Sequence, residues 1–200
     1  MNIVLVHGIF NTGIVMGRMK RALQKYGHRC STPTLSPFDG RQGIAHAAEQ
    51  LAQHIEQTYG NQPVVLIGFS MGGIVCRYYA QHMAISGSIS HLITIASPHH
   101  GSYLAYLPYP SLAMQQLRPN SKLLQNLADN DHKLDGIVLC SYRTPVDFTI
   151  IPSRSSIWPA ASNRLFWVPL HLTMVLSSAV IEAIQQQLSL DVTDVPMAQS

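Results

Sequence analysis

Residues 64–73 read Val-Val-Leu-Ile-Gly-Phe-Ser-Met-Gly-Gly. The apolar run 64–67 is too short for a helix and too uniformly apolar for a half-exposed strand, so it predicts a parallel strand covered on both faces. Gly68, Ser70 and Gly72 then form a Gly-x-Ser-x-Gly pattern, followed by a helix-compatible stretch over 74–82. A strand-to-helix turn tight enough to lift a serine Oγ clear of a sheet leaves no room for Cβ atoms two residues to either side. Ser70 is therefore the candidate nucleophile. The five-residue pattern also occurs in ordinary turns; the strand before it and the helix after it give it weight.

Working outward, the same grammar recurs. Residues 3–6 form a second buried-strand candidate that stops at His7-Gly8, and Met16, Met19, Leu23 and Tyr26 follow at helical spacing until Gly27. Between them Arg18, Lys20, Arg21 and Lys25 form a solvated side. A short strand over 29–34 ends at Pro33 and the turn-rich 36–40, and Ile44, Ala48, Leu51, Ile55 and Tyr59 make the stripe of a second helix closing at Gly60-Asn61. Alternating strand and helix implies a parallel sheet with helices on both faces, hence an α/β fold. Further strands are expected over 91–96, 136–140 and 166–168, with helices over Leu123, Leu124 and Leu127 and over 174–188. Residues 101–117 carry no charge while Tyr103, Leu104, Tyr106, Leu107, Tyr109 and Leu112 accumulate there. Residues 1–189 read as one domain, with 101–130 as a lid or acyl-site insertion and 190–200 as a loose tail.

The chain has 200 residues, 46% of them hydrophobic, enough for one real core. Only 12% are charged, about half the usual share, so the surface is polar through uncharged side chains or partly apolar. The net charge of +3 comes without a basic run, which argues against nucleic acid and leaves at most a slight preference for an anionic membrane surface. Cys30, Cys76 and Cys140 are far apart and unpaired by motif, as buried thiols of a reducing compartment would be. With no apolar leader and no window of ~20 uninterrupted apolar residues, a cytoplasmic protein is expected.

A serine alcohol is idle near neutral pH unless a base takes its proton and an acid orients that base. In such sheets the reactive groups sit past the carboxyl ends of strands, in the order Ser, Asp or Glu, His. After Ser70 the histidines are His82, His91, His99, His100, His132 and His171, and the carboxylates before His171 are Asp129, Asp131, Asp135 and Asp147. Asp129 and Asp131 lie in a polar connection and Asp135 precedes its strand. Asp147 follows the strand over 136–140, and His171 alone lies downstream of it. Taken singly, Asp147 is as well explained as a turn residue and His171 as a packed one; together with Ser70 they form a triad in the required order. The oxyanion of an acyl-transfer intermediate needs fixed donors, and two amides suit: Met71, at the start of a helix, and Ile9 in the loop after the first strand, with Phe10 as its alternative. His7 reads as a structural hydrogen bonder beneath that loop.

Val-His-Gly-Ile near the N-terminus, Gly-Phe-Ser-Met-Gly-Gly, Ser-Pro-His-His-Gly-Ser, Leu-Arg-Pro-Asn-Ser-Lys-Leu-Leu, then Asp147 and His171-Leu-Thr-Met resemble the α/β-hydrolase lipases, closest to the small bacterial type. The resemblance runs from residue 3 to about 188. It implies a three-layer α/β-hydrolase fold whose reduced sheet, about six strands, begins at the family's third, and an esterase or triacylglycerol lipase activity without a cofactor. Members of this kind are often secreted, whereas this chain shows no signal. Some larger relatives hold calcium near the acid loop, but no carboxylate pair supports a metal here, and His99-His100 lacks a third ligand.

The expected function is hydrolysis of a carboxylic ester, of lipid type, by Ser70, Asp147 and His171, with Phe10, His99, Tyr103, Leu104, Tyr106 and Leu107 around the substrate. Residues 101–117 would form a lid or acyl wall that meets a lipid surface, or a loop folded onto the core. An acyl-thioesterase or acyltransferase needs the same triad. A hydrolase-fold binding module that has lost its chemistry is disfavoured, because no catalytic position is substituted.

Overall fold

Strand residues that are apolar at every position must be covered on both faces, and the chain meets that demand with six strands in one sheet. The computed structural model describes residues 1–190. The strands are β1 (Asn2–Val6), β2 (Arg29–Ser31), β3 (Val64–Phe69), β4 (Ile89–Ile95), β5 (Val138–Arg143) and β6 (Ser162–Leu165). The helices are α1 (Gly17–Lys25), α2 (Gly43–Tyr59), α3 (Met71–His82), α4 (Leu112–Gln116), α5 (Lys122–Asp129) and α6 (Ser178–Leu190). The sheet order is β2-β1-β3-β4-β5-β6 and every pairing is parallel. This is the expected α/β class, with helices on both faces.

Alternate residues of the central strands feed two cores. Val4, Val6 and Leu66 pack with Ile44, Leu51 and Ile55 of α2 and Ile74 and Val75 of α3. Ile3, Leu5, Val65 and Ile67 pack on the other face with Met19 and Leu23 of α1 and Val180 and Ile184 of α6. The path from β1 to β2 runs one way along the sheet, and the path from β2 to β3 crosses back over β1. The reversal places a crevice past the carboxyl ends of β1 and β3, where such sheets bind ligands.

Several boundaries differ from the sequence reading, among them β2, which ends at Ser31, and β4, which runs Ile89–Ile95. The last strand lies over Ser162–Leu165, not 166–168: all four residues are exposed at the sheet edge, so no apolar alternation marks them. Phe166 instead lies past the strand's end, against the Tyr142 ring at 5.2 Å. β5 begins and ends later than expected, at Val138 and Arg143, which brings its carboxyl end close to Asp147. The closing helix is split, a 3-10 turn over Leu172–Leu176 preceding α6. From 191 onward the expected tail lies outside the described residues.

Candidate active site

β3 stops at Phe69 and α3 starts at Met71, so Ser70 alone makes the turn. Its φ of 56° and ψ of −125° lie where an L-residue is strained by about 1–3 kcal/mol. The conformation is held by Ser70 N–H donating to Ile95 O (2.8 Å) and Gly73 N–H donating to Ser70 O (3.1 Å). The flanking glycines are required by close approach. A Cβ on Gly68 would lie 2.4 Å from Gly73 Cα, and one on Gly72 would lie 2.4 Å from Val6 O. The first turn of α3 is thereby pressed onto the end of β1. A Cβ on Gly8, in the loop beyond β1, would lie 2.9 Å from Ser70 Cβ.

Asp147 is 8% exposed in the loop after β5. Its Oδ1 accepts the N–H groups of Thr149 (2.9 Å) and Ile150 (2.8 Å), and its Oδ2 accepts His171 Nδ1–H at 2.8 Å. An ionised carboxylate only accepts, so this bond fixes the proton on Nδ1 and leaves Nε2 as the acceptor nitrogen. The imidazole lies against the Phe69 ring, with 4.7 Å between ring centroids. His171 and Ser70 line one cavity of ≈ 350 Å³ with no direct hydrogen bond between them.

Of the two loop amides expected to serve the oxyanion, Ile9 and Phe10, one is free. Phe10, at φ 59°, donates its N–H to Phe38 O at 2.8 Å and so has none to offer. The Ile9 N–H has no protein partner among the described residues, and Met71 N–H, first in α3, has none within its helix. His7 lies beneath this loop, fully buried: Nε2 accepts Leu35 N–H (2.9 Å) and Nδ1 donates to Gly8 O (2.7 Å). Burial pushes its pKa below 6.5 and keeps it neutral, as an Nε2 acceptor must be.

Of the residues expected around a substrate, three line a cavity at Ser70. Phe10, Leu104 and Leu107 line a second, apolar cavity of ≈ 130 Å³ that also reaches Ser70, with Ala105, Met114, Leu117 and Ile150 behind them. Tyr103 and Tyr106 line neither cavity; they are 61% and 53% exposed, and Tyr106 lies under the Arg118 guanidinium. His99 requires a plain correction. It is 2% exposed, stacked on Trp158 at 4.6 Å, and lines neither cavity. Thr94 Oγ1–H donates to Cys140 O, so it accepts from His99 Nε2, and His99 Nδ1 accepts from Arg77 Nη1. Burial, then the Arg77 and His100 charges, hold His99 neutral, its pKa far below 6.5. Arg77, 2% exposed on α3, also donates to Asp131, which accepts from Gln81 and the Trp158 indole. This buried brace behind the elbow was invisible in sequence, apart from one arginine among the largely apolar residues of α3.

The uncharged segment is tied down along its length. Ala113 N–H donates to Gly40 O, Ile44 N–H to Gln116 Oε1, Ser111 Oγ to Asp39 O and the Tyr109 hydroxyl to Asp39 Oδ2. Asp39 is also gripped by Arg41, whose guanidinium holds its pKa down at about 2.

A parallel sheet with a strained serine between β3 and α3, and a carboxylate-bound histidine past its carboxyl ends, defines an α/β hydrolase of the esterase and lipase type. More narrowly, the chain belongs to the PGAP1-like alpha/beta domain family, whose model matches residues 34–189. It is 27% identical over 159 residues to the triacylglycerol lipase of Pseudarthrobacter phenanthrenivorans, covering 71% of this chain and 49% of that one. To the carbendazim hydrolyzing esterase of Nocardioides sp. (strain SG-4G) it is 32% identical over 114 residues, 54% of this chain and 47% of that one. The match thus spans about half the length of these relatives. The mature lipase BlEst2 of Bacillus licheniformis shares the fold, with a TM-score of 0.75 at 18% identity over 94% of this chain and 91% of that one.

Proposed function

We propose that the chain hydrolyses carboxylic esters through Ser70, His171 and Asp147. His171 Nε2 takes the Ser70 proton, Oγ attacks the ester carbonyl, and the Ile9 and Met71 amides receive the oxyanion. Donors of this kind contribute about 3 kcal/mol each. Asp147 holds the tautomer and stabilises the imidazolium. His171 then protonates the leaving alcohol, and water releases the acyl group by the same route. The observation that carries this reading is the 2.8 Å bond between Asp147 and His171, with His171 and the strained Ser70 facing one cavity. Ser70→Ala in folded protein abolishes turnover of a simple chromogenic ester and labelling by a fluorophosphonate; retained turnover would sink the assignment. Asp147→Asn lowers kcat by about 10⁴-fold. Thioester cleavage or acyl transfer uses the same groups, and a panel of esters and thioesters, with and without added alcohol, ranks the three.

A lipid surface as the place where substrate is met is favoured by the side chains around the mouth: Phe10, Leu107, Phe148 and Leu170 are all exposed. A rise in rate as substrate passes its aggregation point supports that reading; no rise and no binding to liposomes removes it. None of the described helices is long and apolar enough to cross a membrane. The three cysteines are buried and none is in a disulfide among the described residues, in keeping with a reducing compartment such as the cytoplasm.

A further inference from the structure

The two cavities meet at Ser70. Both are lined by Ile9, Phe10, Ser70 and Thr149, and they diverge from there. The larger, ≈ 350 Å³, contains His171 and is walled by Phe148, Leu170 and Leu172, which are 67%, 54% and 43% exposed. The smaller, ≈ 130 Å³, lacks His171, and its inner wall of Ala105, Met114, Leu117 and Ile150 is buried.

The chemistry orients an ester across this fork. When the acyl C–O bond breaks, its electron pair leaves with the alcohol oxygen, which takes the proton from His171 Nε2. The alcohol therefore departs on the His171 side, and the acyl chain occupies the other arm. That arm is small and its wall is fixed. It is the smaller of the two arms, ≈ 130 Å³ against ≈ 350 Å³. Met114 of that wall belongs to α4 and Leu117 directly follows it; α4 is fastened by Ala113 N–H donating to Gly40 O (3.0 Å) and by Ile44 N–H donating to Gln116 Oε1 (2.8 Å). Gly40 and Gly43 are in contact with it too: a Cβ on Gly40 would lie 2.6 Å from Ala113 Cβ, and one on Gly43 2.8 Å from Leu112 Cδ2. Such an interlocked wall has no slack with which to widen.

We propose that the chain selects esters with a short acyl group and a bulky apolar alcohol, Met114 and Leu117 setting the acyl limit. This rests on the roles given above to Ser70 and His171. The test uses the full chain and two ester series. In the first, 4-nitrophenyl esters lengthen from acetate to dodecanoate; kcat/KM falls at least tenfold between butanoate and octanoate. In the second, the acetates of methanol, butanol and cyclohexylmethanol show no such fall. Leu117→Ala raises the octanoate-to-butanoate ratio at least tenfold. Met114→Ala does the same should Leu117→Ala fail to fold, and Ala105→Leu lowers butanoate relative to acetate. Wild-type rates that hold or rise to dodecanoate, or a ratio unmoved in folded variants, overturn the proposal. Fluorophosphonate labelling separates the two failures: Ser70 labelled with the wrong chain-length profile refutes the acyl limit alone, whereas no labelling and no turnover of any ester refutes the triad beneath it.

Discussion

At the amino-terminal end of the sheet, the turns that enter β3 and β5 hold Gly60 and Gly136 at φ of 58° and 84°, and a Cβ on either would meet nothing within 4 Å. At the carboxyl-terminal end, a Cβ on Gly68, Gly72 or Gly73 would penetrate another group, in each case within 2.4 Å. Glycine at the first end answers only to the backbone angle; at the second it answers to crowding. Three of the five non-glycine residues at positive φ sort the same way: Phe10, Ser70 and Ala96 directly follow or lie just beyond β1, β3 and β4. Strain and compression are thus concentrated where chemistry is proposed, while the opposite end consists of relaxed turns.

Substitutions at the two ends test that contrast. Gly72→Ala drives a methyl into Val6 O and His7 O, and should cost more than about 3 kcal/mol in denaturant unfolding or prevent folding altogether. A near-neutral result would mean the two ends are equally slack. Gly8→Ala presses on Ser70 Cβ alone, so the loss falls on rate: kcat/KM drops about 10²-fold while the unfolding midpoint moves little. Acid separates the ends next. Folded His7 and His99 have pKa values pushed below 6.5, whereas the unfolded histidines take protons near 6.5. Below that pH the unfolded state binds more protons, so stability is full above about pH 6.5 and declines as pH falls. His99→Gln should flatten this decline in thermal melts between pH 7 and 5; an unaltered slope would show that the brace does not sense protons. The smallest effect is expected for Gly136→Ala, about 1–2 kcal/mol of stability from the backbone angle alone, with ester turnover unchanged.

The contrast also explains what could be seen in the sequence. β1, β3 and β4 are buried on both faces and read as apolar runs, and the elbow was legible because Gly68 and Gly72 are forced by geometry. Asp147 and His171 were singled out by chain order, since a strand end precedes the aspartate, and they lie 2.8 Å apart. Where packing is not periodic, legibility failed. β6 is held by ladder hydrogen bonds with exposed side chains, leaving no apolar rhythm to read. His99 was misread because its neighbours in sequence lie near the site, while its partners Arg77, Thr94 and Trp158 come from α3, β4 and a distant loop. Tyr103 and Tyr106 share a segment with Leu104 and Leu107, yet their aromatic mass points outward.

The all-parallel ladder has a kinetic consequence. Among the described residues no strand pairs through a hairpin; β1 must meet β3 with Asn2 opposite Val64, and β4 must meet β5 with His91 opposite Val138. Each closure orders a long loop before its contacts repay the lost entropy, which makes such sheets slow to form. The turn at Ser70 depends on β1, β3, β4 and α3 together, because Gly72 abuts Val6 and Ser70 N–H needs Ile95 O. In refolding, ester turnover should therefore return last, after helical signal and after burial of either core, so that activity reports complete assembly of the sheet.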